Sequence, residues 1–309
     1  MKLKKPKFWD YKEPNLISNI LFPISKIIEF LSKIKISKKK DFTQIKSICI
    51  GNIYLGGTGK TSLAIEIKKI LDKSNLKSCF IKKDYSDQID EQELLKNYGK
   101  TFIDKSRIKA LNKAISENYE VAIFDDGLQD KNISYDLSFI CFNQKNLIGN
   151  GRIIPAGPLR ESLDNLENSN IFLIGNDDDN ISFKNILLEK FSNLDFFDCI
   201  YEPLNFEDIK LENNFIVFSG IGNHQTFIDM LKKKNFQIIK DLEYPDHYNY
   251  SKNDMDAIYK MAEKYNAKIL TTRKDYLRLD KNYKKEIRFI DVSLKIKQLD
   301  LLQKKLNFK

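Results

Sequence analysis

The stretch GNIYLGGTGKTSL, residues 51–63, decides the fold of this chain. A short apolar segment at residues 48–50 predicts a strand before it, and apolar residues at helical spacing follow it at 63–71. A strand, a glycine-rich loop and a helix in this order form the context that a phosphate-binding P-loop requires. Glycines let backbone N–H groups converge on an anion, and the N-terminus of the helix adds positive potential. We therefore predict that the chain binds a nucleoside triphosphate.

The match to the strict P-loop pattern covers only its second half, GGTGKT, because Tyr54 stands where that pattern places its first glycine. A glycine-rich turn that caps a helix is the alternative. The Gly-Lys-Thr triplet, the strand before it and the helix after it together favour the P-loop. The residues predicted to bind the nucleotide are Leu55, Gly56, Gly57, Thr58, Gly59, Lys60, Thr61 and Ser62.

The 309 residues are enough for one large domain or two ordinary domains. Short apolar runs alternate with helical patterns, which predicts an α/β fold with a parallel sheet of the P-loop NTPase type. We divide the chain into a basic amphipathic segment at 1–45, a P-loop core at 46–204 and a smaller α/β lobe at 205–309. The four cysteines are scattered without metal-ligand spacing, which predicts reduced residues in a cytosolic chain.

The net charge of +9 is concentrated at the start of the chain. Residues 1–40 contain eleven lysines against Asp10, Glu13 and Glu29, so this segment has a charge of +8 and the remainder is near neutral. A nucleic-acid-binding surface is expected to spread over the folded domain instead. The charge distribution therefore argues against a nucleic acid partner and predicts that this basic arm meets an anionic membrane surface.

The basic arm also carries an apolar stripe at intervals of three and four residues, formed by Ile17, Ile20, Leu21, Ile24, Ile27, Ile28, Leu31 and Ile34. This spacing predicts an amphipathic helix, which Pro23 either interrupts or starts. The longest uncharged run, residues 14–25, is shorter than the ~20 apolar residues that span a bilayer, and it lacks a signal-peptide cleavage site. We expect the helix to lie in a membrane interface, with Phe8 and Trp9 as anchors. The alternative is a surface helix packed on the domain.

A second apolar segment, residues 121–124, leads directly into Asp125 and Asp126. A carboxylate at the end of such a strand can hold Mg²⁺ directly or through water, opposite the hydroxyl of Thr61. Two aspartates of an ordinary turn are the alternative. Because a P-loop and an acidic strand end are used as a pair in phosphoryl transfer, we predict a magnesium site here.

A kinase also needs a base or a positioning group for the acceptor hydroxyl. Asp90 and Glu91 are expected in the loop after the second strand, at the same sheet edge as the P-loop. Acidic loop residues are usually only solvated, so composition by itself leaves their role open. His247, in the turn YPDH beside Asp246, is one of two histidines in the chain, and a loop histidine is more often solvated or capping than catalytic.

Read in order along the chain, the motifs resemble those of the tetraacyldisaccharide 4'-kinases, the lipid A 4'-kinases of Gram-negative bacteria. The resemblance covers nearly the whole length, and its most diagnostic block is GNGRIIPAGPLRE at 149–161. The other matching segments are the Phe8-Trp9 start with its apolar helix, GNIYLGGTGKT (51–61), Asp90-Glu91, DDGLQ (125–129), FSGIGN (218–223), YPDH (244–247) and TTRKD (271–275). The chain departs from the family at 82–85, where KKDY replaces a turn of the Ser-Arg-Gly-Tyr type.

The resemblance implies that ATP donates its γ-phosphate to the 4'-hydroxyl of a tetraacylated, 1-phosphorylated glucosamine disaccharide, the lipid A precursor, in a reaction that needs Mg²⁺. It implies a peripheral or monotopic protein at the cytoplasmic face of the bacterial inner membrane and no obligate protein partner. It further implies that Lys60 and Thr61 bind the phosphates and Mg²⁺.

For the remaining site residues, the resemblance implies that Asp125 and Asp126 are the metal and nucleotide carboxylates. Asp90 matches the family's catalytic aspartate and His247 the histidine that supports it, and Arg160 matches an arginine near the phosphates. We add Glu91, the neighbour of Asp90, to the predicted metal ligands.

The sequence leaves two other hypotheses open. The chain could be a membrane-associated P-loop switch that hydrolyses nucleotide to regulate a protein partner. TTRKD follows a strand roughly where GTPases read guanine with Asn-Lys-x-Asp, but the asparagine is absent, which argues against GTP. The chain could also be an inactive relative, since the segment at 82–90 is altered.

Overall fold

Two β-sheets organise the chain in a computed structural model that describes residues 5–34, 39–85, 88–176, 180–210 and 214–308. Eight strands form the larger sheet and four form the smaller one. The strands are β1 (Lys46–Gly51), β2 (Ser78–Lys83), β3 (Thr101–Asp104), β4 (Val121–Asp125), β5 (Leu137–Asn143), β6 (Asn170–Gly175), β7 (Asp195–Pro203), β8 (Asn214–Ser219), β9 (Gln237–Glu243), β10 (Lys268–Thr272), β11 (Ile287–Ile290) and β12 (Val292–Ile296).

Ten α-helices accompany these strands in the described ranges. They are α1 (Leu16–Ile34), α2 (Lys60–Lys73), α3 (Ile89–Lys96), α4 (Arg107–Ser116), α5 (Ile181–Lys190), α6 (Phe206–Lys210), α7 (His224–Lys233), α8 (Lys252–Lys264), α9 (Arg273–Arg278) and α10 (Leu299–Leu306). Two short 3-10 helices, Lys7–Asp10 and Leu163–Leu166, complete the set.

The larger sheet has the strand order β12-β7-β6-β5-β1-β4-β2-β3. Its strands are parallel except β12, which runs antiparallel to β7. Strand β1 lies between β4 and β5, so the loop that follows it emerges in the middle of the carboxyl edge of the sheet. Ligands of open α/β sheets bind at this edge. The α/β class and the parallel sheet predicted from the sequence are confirmed.

The smaller sheet has the order β11-β10-β8-β9 and is wholly parallel. It forms a second lobe, but this lobe does not extend to the end of the chain as the predicted boundaries 205–309 imply. Strand β12 returns to pair with β7, and the side chains of Leu302 and Leu306 in α10 are buried in the core of the larger sheet. Both β12 and α10 have apolar side chains that are buried against the larger sheet. Burial of this apolar surface stabilises their position there, although the preceding elements in the chain belong to the smaller lobe.

Helix α3 replaces part of the loop expected after β2. Asp90 and Glu91 lie in its first turn, where the helix dipole stabilises acidic side chains. Leu94 and Leu95, one turn later, are buried in the core of the larger sheet and hold the helix against it. The two carboxylates are therefore attached to a packed element and not to a solvated loop.

Helix α1 runs without a break through Pro23. It contacts the rest of the protein through small polar side chains: Ser18 Oγ donates to Ala156 O at 2.6 Å, and Ser25 Oγ donates to Ile153 O at 2.7 Å. The apolar stripe of the described helix is largely exposed and so does not dock it on the domain. The exposed apolar residues are Leu16, Ile17, Ile20, Phe22, Ile24, Ile27, Ile28, Phe30 and Leu31.

Trp9, predicted as a membrane anchor, is buried, and its Nε1 donates to Pro155 O at 3.1 Å. Part of the basic arm falls outside the described residues, namely Lys2, Lys4, Lys35 and Lys38, together with the side chains of Lys33 and Ile34. None of the helices in the described part of the chain combines the length and the apolarity that crossing a bilayer requires.

Candidate active site

The loop between β1 and α2 is the predicted P-loop, and two of its glycines have positive φ angles. Gly56 has a φ of 137° and Gly59 a φ of 86°, a region that favours glycine because it has no Cβ. Helix α2 begins at Lys60, whose Nζ donates to Asn52 Oδ1 at 3.1 Å and lies 3.7 Å from Asp126 Oδ1. The lysine is thus held over the loop by two groups of the adjoining strand ends, where a phosphate would meet it.

Two predicted nucleotide-binding residues, Leu55 and Thr58, differ in whether their polar groups have a partner in this structure. The backbone N–H of Leu55 donates to Pro158 O at 2.8 Å, so it is not directed at an anion in this structure. Thr58 Oγ1 is buried and has no hydrogen-bond partner among the described residues. Its hydroxyl is therefore available to a polar group that enters the loop.

The predicted acidic strand end lies directly beside the P-loop. Asp125, the last residue of β4, is fully buried, and its Oδ2 accepts a hydrogen bond from Thr61 Oγ1 at 3.3 Å. Its Oδ1 is buried without a hydrogen-bond partner among the described residues. A buried, unpartnered carboxylate oxygen next to a threonine hydroxyl is a donor set that fits a hard cation such as Mg²⁺.

Asp126 has a φ of 60°, and its Oδ1 lies 3.7 Å from Lys60 Nζ. Arg160 Nη1 donates to Asp126 Oδ1 at 3.3 Å and to Gln129 Oε1 at 3.2 Å. Burial raises the pKa of Asp126, but the charges of Lys60 and Arg160 outweigh burial and hold that pKa below its ordinary value. Arg160, the arginine predicted near the phosphates, therefore shares the carboxylate of Asp126 with the P-loop lysine.

Asp90 and His247 come together across the two lobes. Asp90 Oδ1 lies 3.0 Å from His247 Nδ1, and Asp90 Oδ2 lies 3.2 Å from Arg278 Nε. Burial raises the pKa of Asp90, but the hydrogen bond to His247 and the charges of Lys274 and Arg278 outweigh it and lower the pKa. The aspartate is consequently ionised at neutral pH and can accept a proton.

Two lysines that were not predicted as site residues enclose Glu91. Glu91 Oε2 accepts from Lys82 Nζ at 2.6 Å, and Glu91 Oε1 accepts from Lys274 Nζ at 2.7 Å. Lys82 Nζ also donates to Asp125 Oδ2 at 2.8 Å. Burial raises the pKa of Glu91, whereas the charges of both lysines lower it, and the balance leaves it well below its ordinary value. A continuous chain of polar contacts therefore joins the P-loop to the smaller lobe.

The site lies at the contact between the lobes. A Cβ placed on Gly222 would overlap the backbone of Gly57, so the loop at 220–223 rests on the P-loop. Arg278 Nη1 donates to Gly220 O at 2.9 Å, and Asp275 Oδ1 accepts from the N–H of Gly220 at 2.9 Å. The segment TTRKD and the residues just after it thus hold the loop of the smaller lobe that rests on Gly57.

The diagnostic block at 149–161 connects helix α1 to the P-loop. Its early part receives α1 and Trp9, and its end runs beside the P-loop, where Arg160 N donates to Ile53 O at 2.7 Å. The block is rich in Gly and Pro, but its sequence did not predict that it contacts α1. The signal for Lys274 was the TTRKD motif that contains it. Arg278, three residues after that motif, and Lys82, inside an apolar strand, gave no functional signal.

The predicted site residues from the two lobes gather in one region, with Asp90, Glu91, Asp125 and Asp126 along the carboxyl edge of the larger sheet. Within the described residues, no group of three or more His, Cys, Asp or Glu side chains is arranged to hold a metal. All four cysteines are buried and free, as predicted.

Comparisons with known proteins identify the family of this chain. A family model described as tetraacyldisaccharide-1-P 4'-kinase matches residues 17–307. The tetraacyldisaccharide 4'-kinase of Pelagibacter ubique (strain HTCC1062) is 53% identical over 307 residues, covering 99% of this chain and 98% of that protein. The protein of the same name from Rickettsia felis is 33% identical over 331 residues, covering 99% and 97%.

The fold has a counterpart among solved structures. The crystal structure of the "apo" form of LpxK from Aquifex aeolicus in complex with ATP matches with a TM-score of 0.70 and 23% sequence identity. The match covers 94% of this chain and 98% of that one, so the two proteins share the architecture of both lobes. The sequence relatives and the family model together establish that this chain belongs to the tetraacyldisaccharide 4'-kinase family.

Proposed function

We propose that the protein transfers the γ-phosphate of ATP to the 4'-hydroxyl of a tetraacyldisaccharide 1-phosphate, as the name of its family describes. The observation that carries the proposal is the pair Asp90–His247 beside a P-loop. Asp90 adjoins Glu91, which is connected to Asp125 and Thr61 through Lys82. A donor site and a candidate base are thus parts of one polar network, which is what phosphoryl transfer to a hydroxyl requires.

On the donor side, the N–H groups at the start of α2 and the glycine-rich loop bind the phosphates of ATP. Lys60 and Arg160 both contact Asp126 Oδ1 and offset the negative charge that develops during transfer. The ATP-bound neighbour of the same fold supports this assignment.

Thr61 and Asp125 are the residues that hold Mg²⁺ in this proposal, with Asp126 nearby. The unpartnered Oδ1 of Asp125 and the adjacent Thr61 hydroxyl fit the ion, which supplies charge neutralisation to the β- and γ-phosphates when bound. Glu91 was also predicted as a ligand. Both of its oxygens are bonded to lysines, so we assign it to the counter-charge of Lys82 and Lys274.

On the acceptor side, Asp90 takes the proton of the attacking sugar hydroxyl. The hydrogen bond to His247 Nδ1 orients its carboxylate, and the pKa below the ordinary value keeps it ionised. His247 has a φ of 54°. The surrounding turn holds this conformation, since the backbone N–H of His247 donates to Gly220 O at 3.0 Å. The base is therefore presented by a packed helix and oriented from the opposite lobe.

Helix α1 brings this site to a membrane in the proposal. Nine exposed apolar side chains on the described part of one helix form a surface far more apolar than monomeric soluble proteins usually present. Burying such a face in the interface of an anionic membrane is favourable, and flanking lysines add attraction to the lipid headgroups. The protein would thus meet its lipid acceptor at the cytoplasmic face of the bacterial inner membrane, bound peripherally or monotopically.

The alternative of a nucleotide-hydrolysing switch is not favoured. The TTRKD segment, which the switch hypothesis would assign to base recognition, supplies Lys274 to Glu91 and Asp275 to the loop at Gly220. Its side chains are therefore engaged in the contact between the lobes.

A direct assay tests the proposal. Purified protein, Mg-ATP and the detergent-dispersed disaccharide 1-phosphate should yield the bis-phosphorylated lipid, detected by mass spectrometry. Lys60→Ala should lower turnover by about 100-fold or more, because removal of a charge-stabilising group of this kind typically has that effect. Nucleotide hydrolysis that ignores the lipid acceptor and is stimulated by a protein would support the switch instead.

A further inference from the structure

Lys82 is an almost completely buried basic side chain near the site. It lies near the end of β2 with 1% of its side chain exposed, and its Nζ contacts two carboxylates, Asp125 Oδ2 at 2.8 Å and Glu91 Oε2 at 2.6 Å. Asp125 is the carboxylate beside Thr61 that fits Mg²⁺. A fixed protein cation thus occupies one side of the predicted metal ligand.

The fold dictates this position. In the parallel pair of β2 and β4, Lys82 and Asp125 are direct partners in register, so their side chains leave the sheet side by side. Glu91, in the first turn of α3, accepts a hydrogen bond from Lys82 through Oε2. Lys274 of the smaller lobe donates to its other oxygen, Oε1. Neither carboxylate is therefore left without a counter-charge in the nucleotide-free protein.

This arrangement has a consequence for a divalent cation. A dication that approaches Asp125 must share the carboxylate with an ammonium group that donates to it, and like charges a few ångström apart repel strongly in a buried site. The triphosphate of a nucleotide brings about four negative charges and several oxygen ligands, which overcome that repulsion. Without nucleotide, the remaining free oxygen, Asp125 Oδ1, is a single carboxylate ligand.

We propose that Lys82 is a positioning residue. Its ammonium group is a built-in monovalent cation that holds the carboxylates of Asp125 and Glu91, so that Mg²⁺ enters the site only together with nucleotide. The inference rests on the proposed nucleotide site but concerns the order in which metal and nucleotide bind. Removal of the ammonium group leaves two buried carboxylates close together without the cation between them. Such a pair recruits a divalent ion even without nucleotide.

The experiment measures Mn²⁺ binding by electron paramagnetic resonance, with and without a non-hydrolysable ATP analogue. We expect the wild-type protein to bind Mn²⁺ tightly only with the analogue. In Lys82→Met, Mn²⁺ affinity without nucleotide should rise by about 10- to 100-fold, and Mn²⁺ should raise the melting temperature relative to EDTA. Lys82→Arg keeps a cation and should behave like wild type.

A matched control separates the two lysines that contact Glu91. Lys274→Met removes the other cation from Glu91 but leaves Lys82 on Asp125, so free Mn²⁺ binding should stay at the wild-type level. Wild-type protein that binds free Mn²⁺ within threefold of its affinity in the presence of the analogue would overturn the inference, even if Lys82→Met did not fold. Unchanged Mn²⁺ binding in folded Lys82→Met would also overturn it. Failure of wild type to bind the nucleotide analogue, measured separately by fluorescence, would instead refute the proposed function.

Discussion

Asp90 and His247 are 157 residues apart in the chain and are joined by a contact of 3.0 Å between Asp90 Oδ1 and His247 Nδ1. The aspartate belongs to a helix packed on the larger sheet, and the histidine belongs to a turn of the smaller lobe. The candidate base is therefore complete only while the two lobes are in contact. In the proposed mechanism, catalysis and the relative position of the lobes are therefore coupled through this pair.

Replacing Asp90 by Asn should abolish most turnover while nucleotide affinity stays within about threefold. An amide keeps the size of the side chain but cannot accept the hydroxyl proton, and general bases contribute about 10²- to 10⁴-fold. Steady-state kinetics and binding of a fluorescent ATP analogue measure the two quantities. Glu93→Gln, on the exposed side of the same helix, is the matched control and should leave both unchanged. Near wild-type turnover in Asp90→Asn would remove this residue from the mechanism.

Replacing Glu91 by Gln should destabilise the protein at pH 7 and flatten its acid dependence. The folded-state pKa of Glu91 lies well below the ordinary 4.5, so its ionised form contributes stability that is fully present above pH 4.5. That contribution is lost as pH falls through the lower folded-state pKa. Breaking a buried ion pair costs about 3–5 kcal/mol.

Melting temperatures measured between about pH 3 and pH 8 test this effect, because this range includes the ordinary glutamate pKa. The gap between wild type and Glu91→Gln should be widest near pH 7 and should narrow below about pH 4.5. Glu93→Gln, whose partner Lys96 is on the surface, should follow wild type within about 0.5 kcal/mol at every pH. A gap that stays constant down to the lowest pH would contradict the assigned ion pairs.

Replacing Gly222 by Ala should separate the lobes. The new Cβ would overlap the backbone of Gly57, which has no flexible side chain to move aside. We expect turnover to fall by about tenfold or more because His247, on the same lobe, loses its position relative to Asp90. Small-angle scattering should show a larger radius of gyration. Ile221→Val, which adds no atom to the loop, is the control, and unchanged scattering and turnover in Gly222→Ala would argue against the contact.

Replacing Ile20 and Ile27 by Ser should weaken binding to anionic vesicles. Both side chains are exposed on α1, at 68% and 60%, and each apolar side chain buried in a membrane contributes roughly 1–2 kcal/mol. The double variant should therefore partition about 30- to 700-fold less in a vesicle sedimentation assay. Ile181→Ser, which removes an equally exposed isoleucine of α5, should bind as wild type does. Equal sedimentation of all three proteins would refute the membrane-facing role of α1.

The order of strand, P-loop and helix was predictable because each part depends on local sequence. Ile48 and Ile50 form a buried strand, the glycines of GGTGKT permit the loop, and Leu63 and Ala64 face the sheet. The apolar stripe of α1 was also predictable from its spacing. The burial of Trp9 was not, because its partner Pro155 O is 146 residues away in the chain.

The sequence by itself determined the parallel sheet, the P-loop, the acidic strand end at Asp125 and the apolar face of α1, because helical and strand periodicities and glycine conformations are local properties. Only the tertiary structure decided that β12 and α10 return to the larger sheet, that Asp90 meets His247 and that Lys82 lies between Asp125 and Glu91. These relationships arise when register, burial and charge are satisfied together between segments that are distant in the chain. A buried lysine is stable only where the fold delivers carboxylates to it, and no pattern within β2 specifies their arrival.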